Sequence, residues 1–224
     1  MDYLDIVHYD WVKVGISANY SPWQVSLYES VTLTMRHFQT ALIALGANLP
    51  FADGTPLQTL QRVVKIFPSV NLAVPSVSRF FATPCFPAGA GPDYVNAAAL
   101  LQVEKNMSAD DLLASLHQLE ATFGRQRKQR WGMRTLDLDL LALGDVILPD
   151  AAIQSRWRNL DPALQTTQTP GELILPHPRM QDRAFVLLPL ADVAPDWRHP
   201  LLNKTVLQML AALPAADLAE MHAL

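Results

Sequence analysis

This chain predicts an α+β fold of the ferredoxin-like type: a βαββαβ core whose mainly antiparallel sheet has helices packed on one face. Apolar runs of strand length recur at 40–46, 71–83, 94–103 and 136–143. Two stretches of helical spacing, 55–67 and 108–123, fall between them in the order of a split β-α-β unit. The last run alternates Leu136, Leu138 and Leu140 with Asp137 and Asp139, the pattern of a strand buried on one face only.

Each element has a local reason. Thr40-Ala-Leu-Ile-Ala-Leu-Gly46 is a short apolar run closed by Gly46-Ala-Asn48, a buried strand followed by a turn. Thr55-Pro56 supplies an N-cap and a proline at the first helical position. Leu57, Leu60, Val63, Val64 and Phe67 then repeat at helical spacing until Pro68 stops them. Residues 71–83 are rich in β-branched and aromatic side chains, with Pro75 expected at an edge or bulge. Residues 84–93 read as a loop, and Tyr94 to Val103 as a strand. Ser108-Ala-Asp-Asp111 starts a second helix, which carries Leu112, Leu113, Leu116, Leu119 and Phe123 and closes at Gly124. Gly144-Asp145 is expected to turn the Asp-bearing strand back into a hairpin partner at Val146-Ile147-Leu148. The stretch 149–171 is polar and proline-containing, with Trp157 as its large anchor, and reads as an inserted loop. Leu173-Ile-Leu175 reads as a short strand, and 182–191 and 205–212 as helices. Residues 1–35 show no sustained period and are expected to form a poorly ordered extension, leaving one domain over 36–224.

Composition narrows the function. The chain has 224 residues, half of them hydrophobic, enough for one domain with a sizeable core. A net charge of −4 argues against nucleic acid as a partner by bulk charge. The single cysteine, Cys85, excludes a disulfide within the chain and a cysteine-based zinc site. No apolar run approaches membrane length and the N-terminus lacks a basic, apolar leader pattern, so no membrane partner and a cytoplasmic location are expected. A monomer is expected. No glycine-rich phosphate cradle occurs, so any phosphate bound here is held by side chains and metal.

The chemistry concentrates around one pair of acids. As neighbours on one strand face, Asp137 and Asp139 stand about 6.5–7 Å apart at Cα. Two carboxylates side by side repel unless a cation lies between them. The preceding loop, Gly124-Arg-Gln-Arg-Lys-Gln-Arg-Trp-Gly132, with Arg134 after it, is strongly basic. Acids that hold Mg²⁺ beside guanidinium groups that hold phosphate oxygens suit a metal-bound polyphosphate.

With that loop and the Asp pair, Gly46-Ala-Asn48, Tyr94-Val-Asn96 and Pro176-His-Pro-Arg-Met180 complete a resemblance. From about residue 40 to about residue 200 the chain resembles the 6-hydroxymethyl-7,8-dihydropterin pyrophosphokinases of folate biosynthesis. The family moves the β,γ-diphosphate of ATP to the pterin hydroxymethyl group and releases AMP. The resemblance implies that Asp137 and Asp139 hold two Mg²⁺ ions and that Arg125, Arg127, Trp131 and Arg134 lie in a loop closing over ATP. It assigns Glu120, His177 and Arg183 to the nucleotide as well. It assigns Asn48, Thr83, Pro84, Tyr94, Asn96, Trp131 and Phe185 to the pterin pocket, with Phe185 stacked on the ring. Cys85 stands where the family's Thr-Pro-Pro has its second proline, and Ala47 where many members have Ser.

Plainer readings compete at each position. The Asp pair fits a solvated strand face, and the basic loop fits a nucleic-acid patch. His177 fits a turn, Tyr94 and Asn96 a structural strand face, and Phe185 a core position. A ferredoxin-like RNA-binding module is the rival from another class, but its exposed sheet would carry aromatics where this one carries carboxylates. A member that binds ATP without turnover is a third reading. The 125–134 loop is expected to be open until phosphate arrives, because its like charges repel.

Overall fold

The computed structural model describes residues 37–85, 91–124, 134–165 and 167–224. The chain divides into two units, Met1–His37 and Phe38–Leu224. The expected N-terminal extension lies outside the described residues, and the second unit carries the elements that follow.

Strand β1 (Phe38–Ala47) leads into α1 (Pro56–Ile66), which Thr55 caps by accepting from the Gln58 backbone while the Gln58 side chain returns the bond. The apolar run after it breaks into β2 (Ala73–Val77) and β3 (Phe81–Thr83). Pro75 lies where the register shifts between Ala73 and Ser76, as expected of a residue that cannot donate to a ladder. Strand β4 (Tyr94–Glu104) is the long centre of the sheet, and α2 (Ala109–Thr122) starts at a Ser108 cap. Strand β5 (Asp137–Leu143) completes the core. The strands run β5-β1-β4-β3 with β2 also on β4, all antiparallel, which is the order of a split β-α-β sheet.

The two core helices share one face, as expected. Ala41, Ile43 and Leu45 of β1, with alternate residues of β4 and β5, close against Leu60 and Val63 of α1 and Leu112, Leu116 and Leu119 of α2. Leu116 is fully buried there. Leu116→Ala is expected to lower unfolding free energy by about 2–5 kcal/mol, measured by urea titration, and a smaller loss would mean the site collapses to fill the gap.

The opposite face is not bare. Helices α5 (Ala184–Val193) and α6 (Val206–Leu210) cover one end of it, packing Val186, Leu187, Leu190, Val206 and Met209 on Leu42, Ala98, Leu141 and Ala142. The reason is a bulge: the β1–β5 register shifts between Leu42 and Ile43, which turns both Leu141 and Ala142 to this face as an apolar bed. That bed stops where Ala44 pairs with Asp139, and the remainder of this face carries the polar residues of the site.

The 149–171 segment differs from the loop expected of it. It forms α3 (Ala151–Arg158), capped by Asp150 on the Ile153 N–H, and the short α4 (Pro162–Gln165). The polar composition hid these helices, because α3 buries little apart from the amide of Gln154. The predicted hairpin partner at 146–148 and strand at 173–175 reduce to one bridge, in which Leu148 and Leu175 exchange both backbone hydrogen bonds. The Leu148–Pro149 and Leu175–Pro176 peptides are cis. A terminal helix, α7 (Ala215–Ala219), leads to β6 (His222–Ala223), which edges β3. Among the described residues no helix is long and apolar enough to cross a membrane.

His199 stabilises the turn before α6. Its Nδ1 accepts the N–H groups of Leu201 and Leu202, both at 3.2 Å. Its Nε2 is buried and makes no hydrogen bond among the described residues. Burial, helped by nearby Arg158, pushes its pKa down to about 4. The unfolded chain therefore takes up a proton that the folded chain refuses. This contribution to stability is complete above about pH 6.5 and is lost as pH falls toward 4. His199→Asn keeps an acceptor for the two N–H groups without titrating. Its melting temperature is expected to drop less than that of the wild type on acidification, and parallel curves would refute the assignment.

Candidate active site

Gly46 is the middle of a cross-strand row. It pairs with Asp137 on β5 and with Asn96 on β4, while Ala44 pairs with Asp139 and Ala98. Opposed residues of antiparallel strands share a face. Asp137 and Asn96 therefore flank Gly46 on the open part of the second face, with Asp139 one step along. A Cβ on Gly46 would lie 3.0 Å from Asn96 Oδ1 and 3.9 Å from both Asp137 Cβ and Tyr94 Cδ1. The glycine is the floor between a carboxylate and an amide. Its place at the end of an apolar run signalled only a turn.

On the β4 side the amide is fixed. Asn96 is buried and its Nδ2 donates to Thr83 Oγ1 at 2.7 Å. Thr83 pairs with Tyr94, so Thr83, Tyr94 and Asn96 line one patch. The Asn96 Oδ1 and its second N–H make no hydrogen bond among the described residues. Together they offer the acceptor-and-donor edge that reads a planar heterocycle. Pro84 follows at the exposed end of β3.

On the β5 side, cations face the acids. The Arg134 guanidinium pairs with Asp137 Oδ2. Burial works against the Arg134 charge, but Asp137 and Asp139 outweigh it and hold its pKa above the ordinary value. Arg183, at the start of α5, lies over the ring of Phe185, 5.5 Å from its centroid. Phe185 itself is exposed and takes no part in the core. Burial lowers the Arg183 pKa, against the pull of Asp139 and Asp137. A guanidinium that is stripped of water and held beside two acids is ready for an anion that brings its own cation. His177 is half-buried by surface exposure. Its backbone N–H donates to Leu141 O at 2.8 Å, and its ring Nδ1 accepts from the Arg179 backbone N–H at 3.2 Å. Burial, with Arg183 and Arg179 close by, pushes its pKa down to about 3, so the ring is neutral and its proton sits on Nε2.

Two predicted site residues hold backbone groups in the structure. Asn48 is buried and its side chain ties two loops together: Oδ1 accepts from Arg134 N at 2.7 Å and Nδ2 donates to Pro92 O at 3.1 Å. Glu120 is buried on α2, where Oε1 accepts the Leu138 N–H at 2.7 Å. It thereby pins the outer edge of β5 between the two acids. Arg125, Arg127 and Trp131 lie outside the described residues, as does the expected loop opening. Cys85 donates its N–H to Asp93 Oδ1 at 3.2 Å, a contact within the loop beside Thr83.

Among the described residues no group of three or more His, Cys, Asp or Glu side chains gathers to hold a metal. The chain offers a divalent ion two carboxylates on one strand face. That donor set is too small for a closed protein cage, but it fits Mg²⁺, which keeps waters and takes its remaining ligands from phosphates.

Comparison with known proteins places the chain in a family. The profile of the family described as 7,8-dihydro-6-hydroxymethylpterin-pyrophosphokinase matches residues 42–195. A 2-amino-4-hydroxy-6-hydroxymethyldihydropteridine pyrophosphokinase of Synechocystis sp. is 36% identical over 171 residues, covering 76% of this chain and 74% of that protein. The protein of the same name from Pseudomonas aeruginosa is 35% identical over 179 residues, covering 79% of this chain and 93% of that protein. Among solved structures, wild-type Plasmodium falciparum HPPK-DHPS superposes with a TM-score of 0.53 at 13% identity, covering 78% of this chain. The match spans 44% of that longer protein, and the likeness shows the fold alone. A profile match across most of the chain and relatives above one-third identity lead to one conclusion: the chain belongs to the 7,8-dihydro-6-hydroxymethylpterin-pyrophosphokinase family.

Proposed function

We propose that this protein transfers diphosphate from ATP to 6-hydroxymethyl-7,8-dihydropterin, giving the pterin diphosphate and AMP, in tetrahydrofolate biosynthesis. The observation that carries the reading is the row Asp137–Gly46–Asn96, which sets an acid for a metal-bound phosphate beside an amide for a heterocycle. The pterin hydroxyl oxygen attacks the β-phosphorus of ATP, the bond from that phosphorus to the α-phosphate oxygen breaks, and AMP leaves. The hydroxyl proton passes to solvent.

Such a transfer depends on alignment and charge neutralisation more than on covalent help. Asp137 and Asp139 would hold Mg²⁺, which supplies charge neutralisation on the phosphates. Arg134 and Arg183 take phosphate oxygens, and the neutral His177 donates from Nε2 to the nucleotide. Asn96, Thr83 and Tyr94 orient the pterin, with Phe185 as its stacking partner as the resemblance implies. Arg125, Arg127 and Trp131 complete the nucleotide side as the resemblance implies. A monomer in the cytoplasm belongs to the same proposal.

The test is a product assay. Purified protein with ATP, Mg²⁺ and the hydroxymethyl dihydropterin is expected to yield AMP in proportion to pterin. ADP as the product, or AMP independent of pterin, would overturn the reading.

A further inference from the structure

We infer that the segment 150–165 is a brace for the nucleotide side of the site, with Gln154 as the residue that positions His177. This rests on the functional reading above, since it concerns how ATP is met.

The brace grips the turn that carries His177 from both ends. Gln154 is fully buried although its side chain is an amide. Its Nε2 donates to Pro176 O at 3.0 Å, the carbonyl of the peptide that enters His177. Its Oε1 accepts from Arg158 Nη1 at 3.2 Å, so both ends of the amide are used. At the far end of the turn, Arg179 Nη2 donates to Gln165 O at 3.1 Å. The Gln165 side chain in turn donates to Leu160 O at 2.8 Å, which closes the α3–α4 connection on itself. Between these grips the Arg179 N–H occupies His177 Nδ1.

The consequence is orientational. With Nδ1 occupied and the preceding carbonyl anchored, the ring presents Nε2–H in one direction. That Nε2 makes no hydrogen bond among the described residues. A buried amide satisfied at both ends is costly to replace and specifies one geometry. Gln154 lies in a helix whose other residues are exposed or half-buried, so core packing gives little reason for an amide there. Its partner, the carbonyl before His177, gives one.

The experiment is a double-mutant cycle on the full chain, reading the Kd of a non-hydrolysable ATP analogue with Mg²⁺ by calorimetry. Gln154→Met conserves volume and removes the donor. It is expected to weaken binding about tenfold by reducing the fraction of molecules whose His177 is set for the nucleotide. Gln154→Glu keeps the Arg158 contact but sets an acceptor against Pro176 O, and should weaken binding at least as much. It serves if the Met variant fails to fold, which the melting temperature reports. In a His177→Ala background neither substitution should have a further effect, because Gln154 acts through that ring. Unchanged affinity in both single variants, or effects that simply multiply in the double variants, would overturn the inference. Wild-type protein that binds no ATP analogue would be a different result, overturning the functional reading itself.

Discussion

Asp139→Asn is expected to cut pterin-dependent AMP formation by about a thousandfold or more while leaving the melting temperature close to that of the wild type. The magnitude follows from several kcal/mol of charge stabilisation on the transferring phosphates, at about 1.4 kcal/mol per factor of ten. The stability follows from the row geometry. The Asp139 side chain makes no hydrogen bond among the described residues, and neutralising it removes repulsion from Asp137 along with attraction to Arg134 and Arg183, two effects of opposite sign. Asp137→Asn should lose comparable turnover but also weaken the contact to Arg134, so its melting temperature is expected to fall modestly. Turnover and melting temperature measured together separate the two acids. Calorimetric titration of Mg²⁺ in the presence of the ATP analogue adds a readout independent of turnover. If either variant kept turnover close to that of the wild type at saturating Mg²⁺, the pair would not be the metal site.

Gly46→Val is expected to weaken pterin binding by about a hundredfold, and Gly46→Ala by about tenfold. A β-branched residue suits a central strand, so the backbone itself is not expected to resist the change. The obstacle is the space above it. A Cβ meets Asn96 Oδ1 at 3.0 Å, and that amide cannot swing away without losing Thr83 Oγ1. The shift needed is a few tenths of an ångström for alanine and more for valine. Misplacement of about an ångström at a positioning group is enough for a loss of roughly a hundredfold. Fluorescence titration with a pterin analogue, alongside a melting curve, checks both variants. A Gly46→Val protein that folds and binds the analogue normally would show that the row does not hold the pterin.

Much of this protein was legible in its residues. The β-α-β-β-α-β order could be read because both core helices and their caps announce themselves at Thr55, Pro56 and Ser108. The alternating Leu and Asp of β5 put both acids on one face by their period alone. Less legible was α3, whose buried residue is a glutamine and whose pattern has almost no apolar stripe. The Leu140–Leu141 doublet broke the alternation without saying which side would cover it; the bulge and α5 supplied the answer.

Site residues divide in the same way. The identity of the charges at Asp137, Asp139, Arg134 and Arg183 was written in the chain, because charge type and local period are properties of sequence neighbours. Tertiary structure alone decided that Gly46 stands between the acids and Asn96, that Asn48 and Glu120 hold backbone, and that Gln154 reaches the carbonyl before His177. The side-chain contacts of Asn48, Glu120 and Gln154 join residues from 18 to 86 positions apart. Cross-strand register and helix placement are set by how the whole core closes, and no local pattern records them.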